Sequence, residues 1–319
     1  MTRVAAVDCG TNSIRLLVAD VTVPESASGA GAPGELKDLD RRMEIVRLGQ
    51  DVDRTGRLAP EALERTFAAC RRYAEIIERL GAVRTRFVAT SATRDAENRA
   101  DFVRGVEEIL GVRPEVVTGD EEAALAFTGA TKELSGRLPG PYLVVDIGGG
   151  STEFVSGTDR VEAARSVDVG CVRLTERHHF ADPPTPRQIE AAKADVAAAL
   201  DAAEATVPLR DTTTLVGLAG SVTTVAGIAM DLPAYDSTAL HHARIPVARI
   251  REITDSLLTA THAERAAIPV MHPGRVDVIA AGALVLLAVM ERTGAPDVVV
   301  SEHDILDGLA FTCAAEPGR

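Results

Sequence analysis

The chain has 319 residues, and its 34 Lys and Arg against 47 Asp and Glu leave a formal net charge of −13. At roughly 100–200 residues per domain, this length predicts two domains with separate cores and excludes a peptide-scale or disulfide-stapled scaffold. With 46% apolar and 25% charged residues the composition is that of an ordinary globular protein, and the acidic balance argues against non-specific binding to nucleic acid or an anionic membrane.

Met1-Thr2-Arg3 runs straight into an apolar strand, without the charged region, apolar run and cleavage site of a signal peptide. The apolar runs Val4–Asp8 and Ile14–Val21 flank Gly10-Thr11-Asn12-Ser13 and predict a hairpin with a tight polar turn. A loop rich in Gly, Ala, Ser and Pro, Ala27–Pro33, precedes a strand at Met43–Leu48. Pro60 opens a helix reaching Gly81, whose Leu63, Phe67, Cys70, Tyr73, Ile76, Ile77 and Leu80 make one apolar face. A strand at Arg86–Ala89, a polar loop at Thr90–Arg94, a helix through Asn98–Leu110 and a strand at Glu115–Val117 follow. Thr118-Gly119-Asp120 then caps a helix that begins Glu121-Glu122. This alternation is that of an α/β domain.

After a loop at Ser135–Pro141 the pattern restarts with Tyr142–Asp146. Further on, Val278–Met290 is too short for the roughly 20 residues of a membrane span and predicts a buried helix. Cys9, Cys70, Cys171 and Cys313 show no CxxC spacing, which points to a reducing cytosol.

The restart repeats a motif. Asp8-Cys9-Gly10-Thr11-Asn12-Ser13 and Asp146-Ile147-Gly148-Gly149-Gly150-Ser151 share the form D-x-G-x-x-S, with Asp, Gly and Ser each displaced by 138 residues. Two halves of a duplicated architecture explain the common interval. A glycine-rich turn between strands lets backbone N–H groups converge on anionic oxygens, and an Asp at the strand end can serve a divalent cation. Asp, Gly and Ser are also ordinary turn residues, so one copy alone is ambiguous. Gly217-Leu218-Ala219-Gly220-Ser221-Val222-Thr223-Thr224 is a third such element, following a strand at Thr213–Val216 and opening a helix whose N-terminal amides suit an anion.

In this order, these segments together with Ala89-Thr90-Ser91-Ala92-Thr93-Arg94, Thr118–Ala123 and Val145–Glu153 resemble the exopolyphosphatase and guanosine pentaphosphate phosphohydrolase family, within the superfamily of actin and sugar kinases. The resemblance covers Val4 to about Phe311. It implies an α/β fold of two duplicated actin-like (ribonuclease H-like) lobes with a cleft between them, residues 1–130 and 131–319, with a last helix near 304–315 that is a candidate to dock back on the first lobe. It implies release of the terminal phosphate of inorganic polyphosphate or the 5′-phosphate of pppGpp with magnesium, manganese being the alternative metal. A cytoplasmic homodimer acting on neither nucleic acid nor membrane is expected.

Carried over by position, the resemblance makes Glu122 the general base. Adjacent helical residues point about 100° apart, so only one of Glu121 and Glu122 can face a cleft; an acidic first turn favoured by the macrodipole is the alternative for the pair. Asp146 and Glu153 match acidic residues around the metal and the attacking water, with Asp8 in the equivalent place of the first lobe. Arg94 matches a phosphate-holding residue; Gly10, Asn12 and Ser13 form one phosphate turn, Gly148, Gly149, Gly150 and Ser151 the second, and Gly220 and Ser221 belong to the third. Arg15 reaches the same region if its strand face points inward.

Other features have plainer readings. His178-His179 and His241-His242 resemble metal pairs, but adjacent residues rarely ligate one ion, and hydrogen-bonded or solvated histidines are expected. Arg71-Arg72 reads as a solvated face and Cys171 as packing. Two departures from the family pattern are Gly10-Thr11-Asn12-Ser13 for Gly-Ser-Asn-Ser, and Leu306-Asp307-Gly308 where Arg-Glu-Gly is common, which loses a positive charge. The chain ends at Arg319 where longer relatives continue into helical domains, so short polymers are the expected substrates. A sugar or acetate-type kinase, and a non-catalytic actin-like protein that binds a phosphate ligand, stay open as alternatives.

Overall fold

The computed structural model describes residues 1–22, 34–134 and 136–315. The loop expected over 27–33 lies outside the described residues. The chain forms two compact units: Met1–Lys132 with the C-terminal segment from Ile305, and Glu133–Asp304.

In the first unit, β1 (Thr2–Cys9), β2 (Ser13–Val21), β3 (Leu36–Ile45), β4 (Arg84–Ala89) and β5 (Glu115–Val116) form one sheet in the order β3-β2-β1-β4-β5. The first three strands pair antiparallel; β4 joins β1, and β5 joins β4, in parallel. Side chains alternate across a strand, so Ala5, Val7 and Cys9 enter a core with Tyr73 and Phe102 from helices Pro60–Leu80 and Arg99–Leu110, while Val4, Ala6 and Asp8 face the other way. Helix Pro60–Leu80 starts on Pro60 and ends on Gly81, whose φ of 68° is the left-handed value that favours glycine. The final helix, Ile305–Ala315, packs against β1 and against helix Gly119–Thr131. There Gly308 is required, because a Cβ at that position would lie 2.0 Å from the Leu125 carbonyl oxygen.

The second unit repeats the plan. β6 (Tyr142–Ile147), β7 (Thr152–Gly157), β8 (Val161–Val167), β9 (Thr214–Leu218), β10 (Arg244–Pro246) and β11 (Asp297–Val300) form a sheet in the order β10-β11-β9-β6-β7-β8. Setting aside the added edge strand β10, this is the arrangement of the first sheet: a meander whose first strand is extended by two parallel strands. Helix Ile279–Thr293 is buried in its core, as its apolar run implies. Among the described residues no helix is long and apolar enough to cross a membrane.

Two local expectations are corrected, and one strand is new. The strand expected at Met43–Leu48 is Leu36–Ile45, because Val46 and Arg47 turn away to donate their amides to the Asn12 carbonyl. The polar loop at Thr90–Arg94 is instead the short helix Ser91–Asp95, with Ser91, Ala92 and Thr93 buried. Strand β8, unforeseen, completes a hairpin with β7 across Thr158-Asp159-Arg160.

Candidate active site

The two D-x-G-x-x-S turns close on the same hydrogen bond. The Gly10 amide donates to the Ser13 carbonyl at 2.9 Å, and the Gly148 amide to the Ser151 carbonyl at 3.1 Å. In each turn the carbonyls are consumed on one side. Those of Thr11 and Asn12 accept from the amides of Gly49, Val46 and Arg47; those of Gly148 and Gly149 accept from the amides of Cys171, Val172 and Arg173, and that of Gly150 accepts from Arg173 Nε at 2.7 Å. A trans peptide points its N–H opposite its C=O. Within each turn taken by itself, the amides of Asn12 and Ser13, or those of Gly149, Gly150 and Ser151, are thereby turned away from the bonded carbonyls, as in backbone arrangements that hold anionic oxygens.

The first turn carries Asp8 opposite Arg15 in the β1–β2 register, and Arg15 grips one carboxylate oxygen, with Nη2 2.7 Å and Nε 3.0 Å from Asp8 Oδ2. Asp8 is buried at 4% exposure. Thr11 hydrogen-bonds Ser91 at 2.9 Å, tying the turn to the segment that carries Arg94. Arg94 Nη1 donates to the Val117 carbonyl at 3.0 Å and to Glu122 Oε2 at 3.3 Å.

Helix Gly119–Thr131 separates the two glutamates. Thr118 caps it, accepting from the Glu121 amide, while the Glu121 carboxylate accepts from the Thr118 amide at 2.8 Å and hydroxyl at 3.0 Å. The hydrogen bond from the Thr118 amide holds the Glu121 carboxyl below its ordinary pKa. Glu121 is thus spent on the helix end and exposed, whereas Glu122, one residue on, is buried at 8% beside Arg94.

In the second unit the position equivalent to Arg15 is Glu153, which pairs with Asp146 in the β6–β7 register. Two buried carboxylates therefore stand opposite each other, at 7% and 1% exposure. A like-charged cross-strand pair is unfavourable by itself and gains from a cation. Ser166, on the unforeseen strand β8, donates to Glu153 Oε1 at 2.7 Å and orients it. Carboxylate oxygens are the ligands that magnesium and manganese take, so the donor set fits such an ion; Asp8, expected with them, has its charge met by Arg15.

The third element opens helix Ala219–Ala229, with Ala219 at a φ of 65°. A Cβ on Gly220 would lie 1.7–1.8 Å from the Arg275 guanidinium, so the glycine exists to let that cation lie flat on the backbone. A cation at a helix N-terminus opposes the macrodipole, and an anion bound there would satisfy both. Arg275 was not singled out from the sequence; its only signal is the tight turn His272-Pro273-Gly274 that presents it. Ser221 is hydrogen-bonded to Cys171, whose thiol is pushed up by burial, in keeping with a packing role. A Cβ on Gly170 would come within 2.5 Å of the Gly149 backbone, so helix Cys171–Arg177 abuts the second turn directly. Asp307, the charge-losing departure, is 2% exposed and bonded by Arg41 Nη2 at 2.6 Å, so it anchors the final helix within the first unit. His178 is hydrogen-bonded to Asp195 at 3.0 Å, as expected.

Comparison with known proteins converges on one family. A family model described as the Ppx/GppA phosphatase family matches residues 25–313. The chain is 50% identical to exopolyphosphatase 2 of Mycobacterium tuberculosis over 324 aligned residues, 98% of this chain and 99% of that protein. A solved structure described as an exopolyphosphatase-like protein superposes with a TM-score of 0.91 at 44% identity, over 98% of this chain and 97% of that one. The Aquifex aeolicus Ppx/GppA family member superposes with a TM-score of 0.77 at 29% identity, again over 98% and 97%. With matching sheets, paired turns and a match along nearly its whole length, the chain belongs to the Ppx/GppA phosphatase family.

Proposed function

We propose that this chain is an exopolyphosphatase, releasing the terminal phosphate of inorganic polyphosphate by attack of water. The observation that carries the reading is that each of two glycine-rich turns spends its carbonyls on one side and frees its amides on the other, with carboxylates at the adjoining strand ends; half identity to a protein named exopolyphosphatase 2 supports the same substrate.

In this reading the amides of Asn12 and Ser13 in one unit, and of Gly149 to Ser151 in the other, bind phosphate oxygens, and Arg275 with the Gly220 amide adds positive potential. Glu122 accepts the proton of the attacking water, a contribution of roughly 10²–10⁴-fold. Arg94 fixes the Glu122 carboxylate and offers its remaining N–H groups to a phosphate. Asp146 and Glu153 hold a divalent cation, magnesium or manganese, with Ser166 orienting Glu153. That cation, when bound, neutralises charge on the phosphate oxygens. Asp8 and Arg15 form a neutral pair that stiffens the first turn.

Phosphate release from short polyphosphate, long polyphosphate, pppGpp and ATP, each with magnesium and with manganese, tests the proposal. Release from polyphosphate supports it. Faster release from pppGpp favours the 5′-phosphohydrolase reading, and tight binding without turnover the non-catalytic one. The homodimer rests on the family resemblance, and sedimentation measures it; the cytoplasmic location rests on the cysteine spacing and the missing signal-peptide pattern.

A further inference from the structure

Glu133, His241, His242 and His303 meet within the second unit although they are separated by up to 170 positions in the chain. Glu133 Oε2 is 3.2 Å from His241 Nε2, and Glu133 Oε1 is 3.6 Å from His303 Nδ1. The ring centroid of His241 is 3.7 Å from that of His242 and 4.5 Å from that of His303. One ligand atom each from Glu133, His241 and His242 can be chosen so that all three lie within 4.8 Å of one another.

Neighbouring residues in a strand or helix point apart, which is why adjacent histidines are ordinarily poor partners on one ion. Here the chain leaves the short helix Ser237–Leu240, and His242 takes a left-handed φ of 65° while its amide donates to the Val300 carbonyl at 2.7 Å. That backbone turn stacks the two rings side by side. The amide hydrogen bond to Val300 holds this left-handed conformation in place. The Nε2 of His242 is buried and has no hydrogen-bond partner among the described residues, which a merely hydrogen-bonded cluster would not leave.

We propose that Glu133, His241 and His242 form a binding site for a first-row transition-metal dication, zinc above all, with the fourth tetrahedral position left to a solvent molecule. In a tetrahedron with arms of 2.0–2.1 Å, ligand atoms stand about 3.4 Å apart. The 3.2 Å between Glu133 Oε2 and His241 Nε2 is close to that edge. Imidazoles with one carboxylate suit zinc and its neighbours, whereas magnesium takes oxygen ligands, so this site and the carboxylates Asp146 and Glu153 select different ions. The Glu302 amide donates to His241 Nδ1 at 3.2 Å, which places that ring's proton on Nε2 against Glu133. Ligation through Nε2 would displace that proton to Nδ1 and would require His241 to give up the Glu302 amide contact.

The test uses the whole chain, stripped of metal by a chelator and titrated with cobalt(II), whose visible absorption is intense only in a tetrahedral site, and with zinc against a chromophoric chelator. The expected result is one tight zinc per chain and a tetrahedral cobalt spectrum that survives Glu153→Gln. His242→Ala and, separately, His241→Asn should weaken zinc binding on the order of 10–100-fold or more and abolish the spectrum. Their metal-free circular dichroism should match that of the metal-free parent, which separates ligand loss from misfolding. Absence of a tetrahedral spectrum in the parent, or one that persists in both histidine variants, overturns the proposal; a spectrum lost in Glu153→Gln alone overturns it too.

Discussion

Arg94 Nη1 stands 3.3 Å from Glu122 Oε2 and 3.0 Å from the Val117 carbonyl, so a single guanidinium nitrogen braces both the carboxylate and the loop leading into its helix. The two residues should fail differently. Glu122→Gln removes proton acceptance and is expected to lower kcat by roughly 10²–10⁴-fold with little change in KM. Arg94→Ala removes a charged phosphate contact and should cost about 10–100-fold in kcat/KM, part of it in KM. Arg94→Lys should recover little, because a point ammonium cannot reproduce the planar fork. Initial-rate kinetics of phosphate release measure all three.

Two glycines are predicted to separate binding from stability. At Gly220 the obstacle to a Cβ is the far end of Arg275, which can swing away. Gly220→Ala should therefore melt within a few degrees of the parent while KM rises severalfold. At Gly170 the obstacle is the backbone of Gly149 and Gly150, which cannot move without opening the second turn. Gly170→Ala should lower both the melting temperature and kcat/KM.

The Arg41–Asp307 pair predicts a stability effect with no catalytic counterpart. Arg41 is partly exposed at 30%, but Asp307 is sealed at 2%, so Arg41→Ala takes a close cation from a buried carboxylate, at a cost of roughly 2–4 kcal/mol. Replacing both by leucine should recover most of the loss, since neither charge then remains to be solvated. Denaturant melts of the two single variants and the double variant check this.

Lys132 supplies a pH signature. Its ammonium sits 3.1 Å from the Phe311 ring centroid, and burial pushes its pKa down from 10.5 to about 8. Below pH 8 the lysine is charged whether the chain is folded or not, and the full desolvation cost is present. Between pH 8 and 10.5 the unfolded chain holds the extra proton, so this group's contribution to stability improves as pH rises. Lys132→Met should thus stabilise the protein at pH 7, with a gain that shrinks by pH 10 in parallel melts of parent and variant.

Much of this site was legible because its signals are local. The interval of 138 residues between the two D-x-G-x-x-S motifs predicts equivalent turns, and the structure returns the same closing hydrogen bond in each. Thr118 likewise announces a helix start from four consecutive residues, and the capping box shows why Glu122 rather than Glu121 is the buried one. What stayed hidden depends on partners far along the chain. Arg15 is the positional equivalent of Glu153, yet its role is visible only once strand register places it on Asp8. Arg275 reaches Gly220 across 55 positions, and Asp307 finds Arg41 across 266. The adjacent histidines looked unsuited to one ion because a left-handed φ at His242 has no signature in composition or periodicity.

The return of helix Ile305–Ala315 to the first unit also sets an order of events during synthesis. The second unit is continuous in sequence and can complete its core as soon as it emerges from the ribosome. The first unit, although begun earlier, lacks one of its layers until the ribosome has translated the whole of the second. At about 5–20 residues per second that is a delay on the order of ten to thirty seconds. Through it, the apolar surface on β1 and helix Gly119–Thr131 that the last helix will cover stands open to solvent and to chaperones.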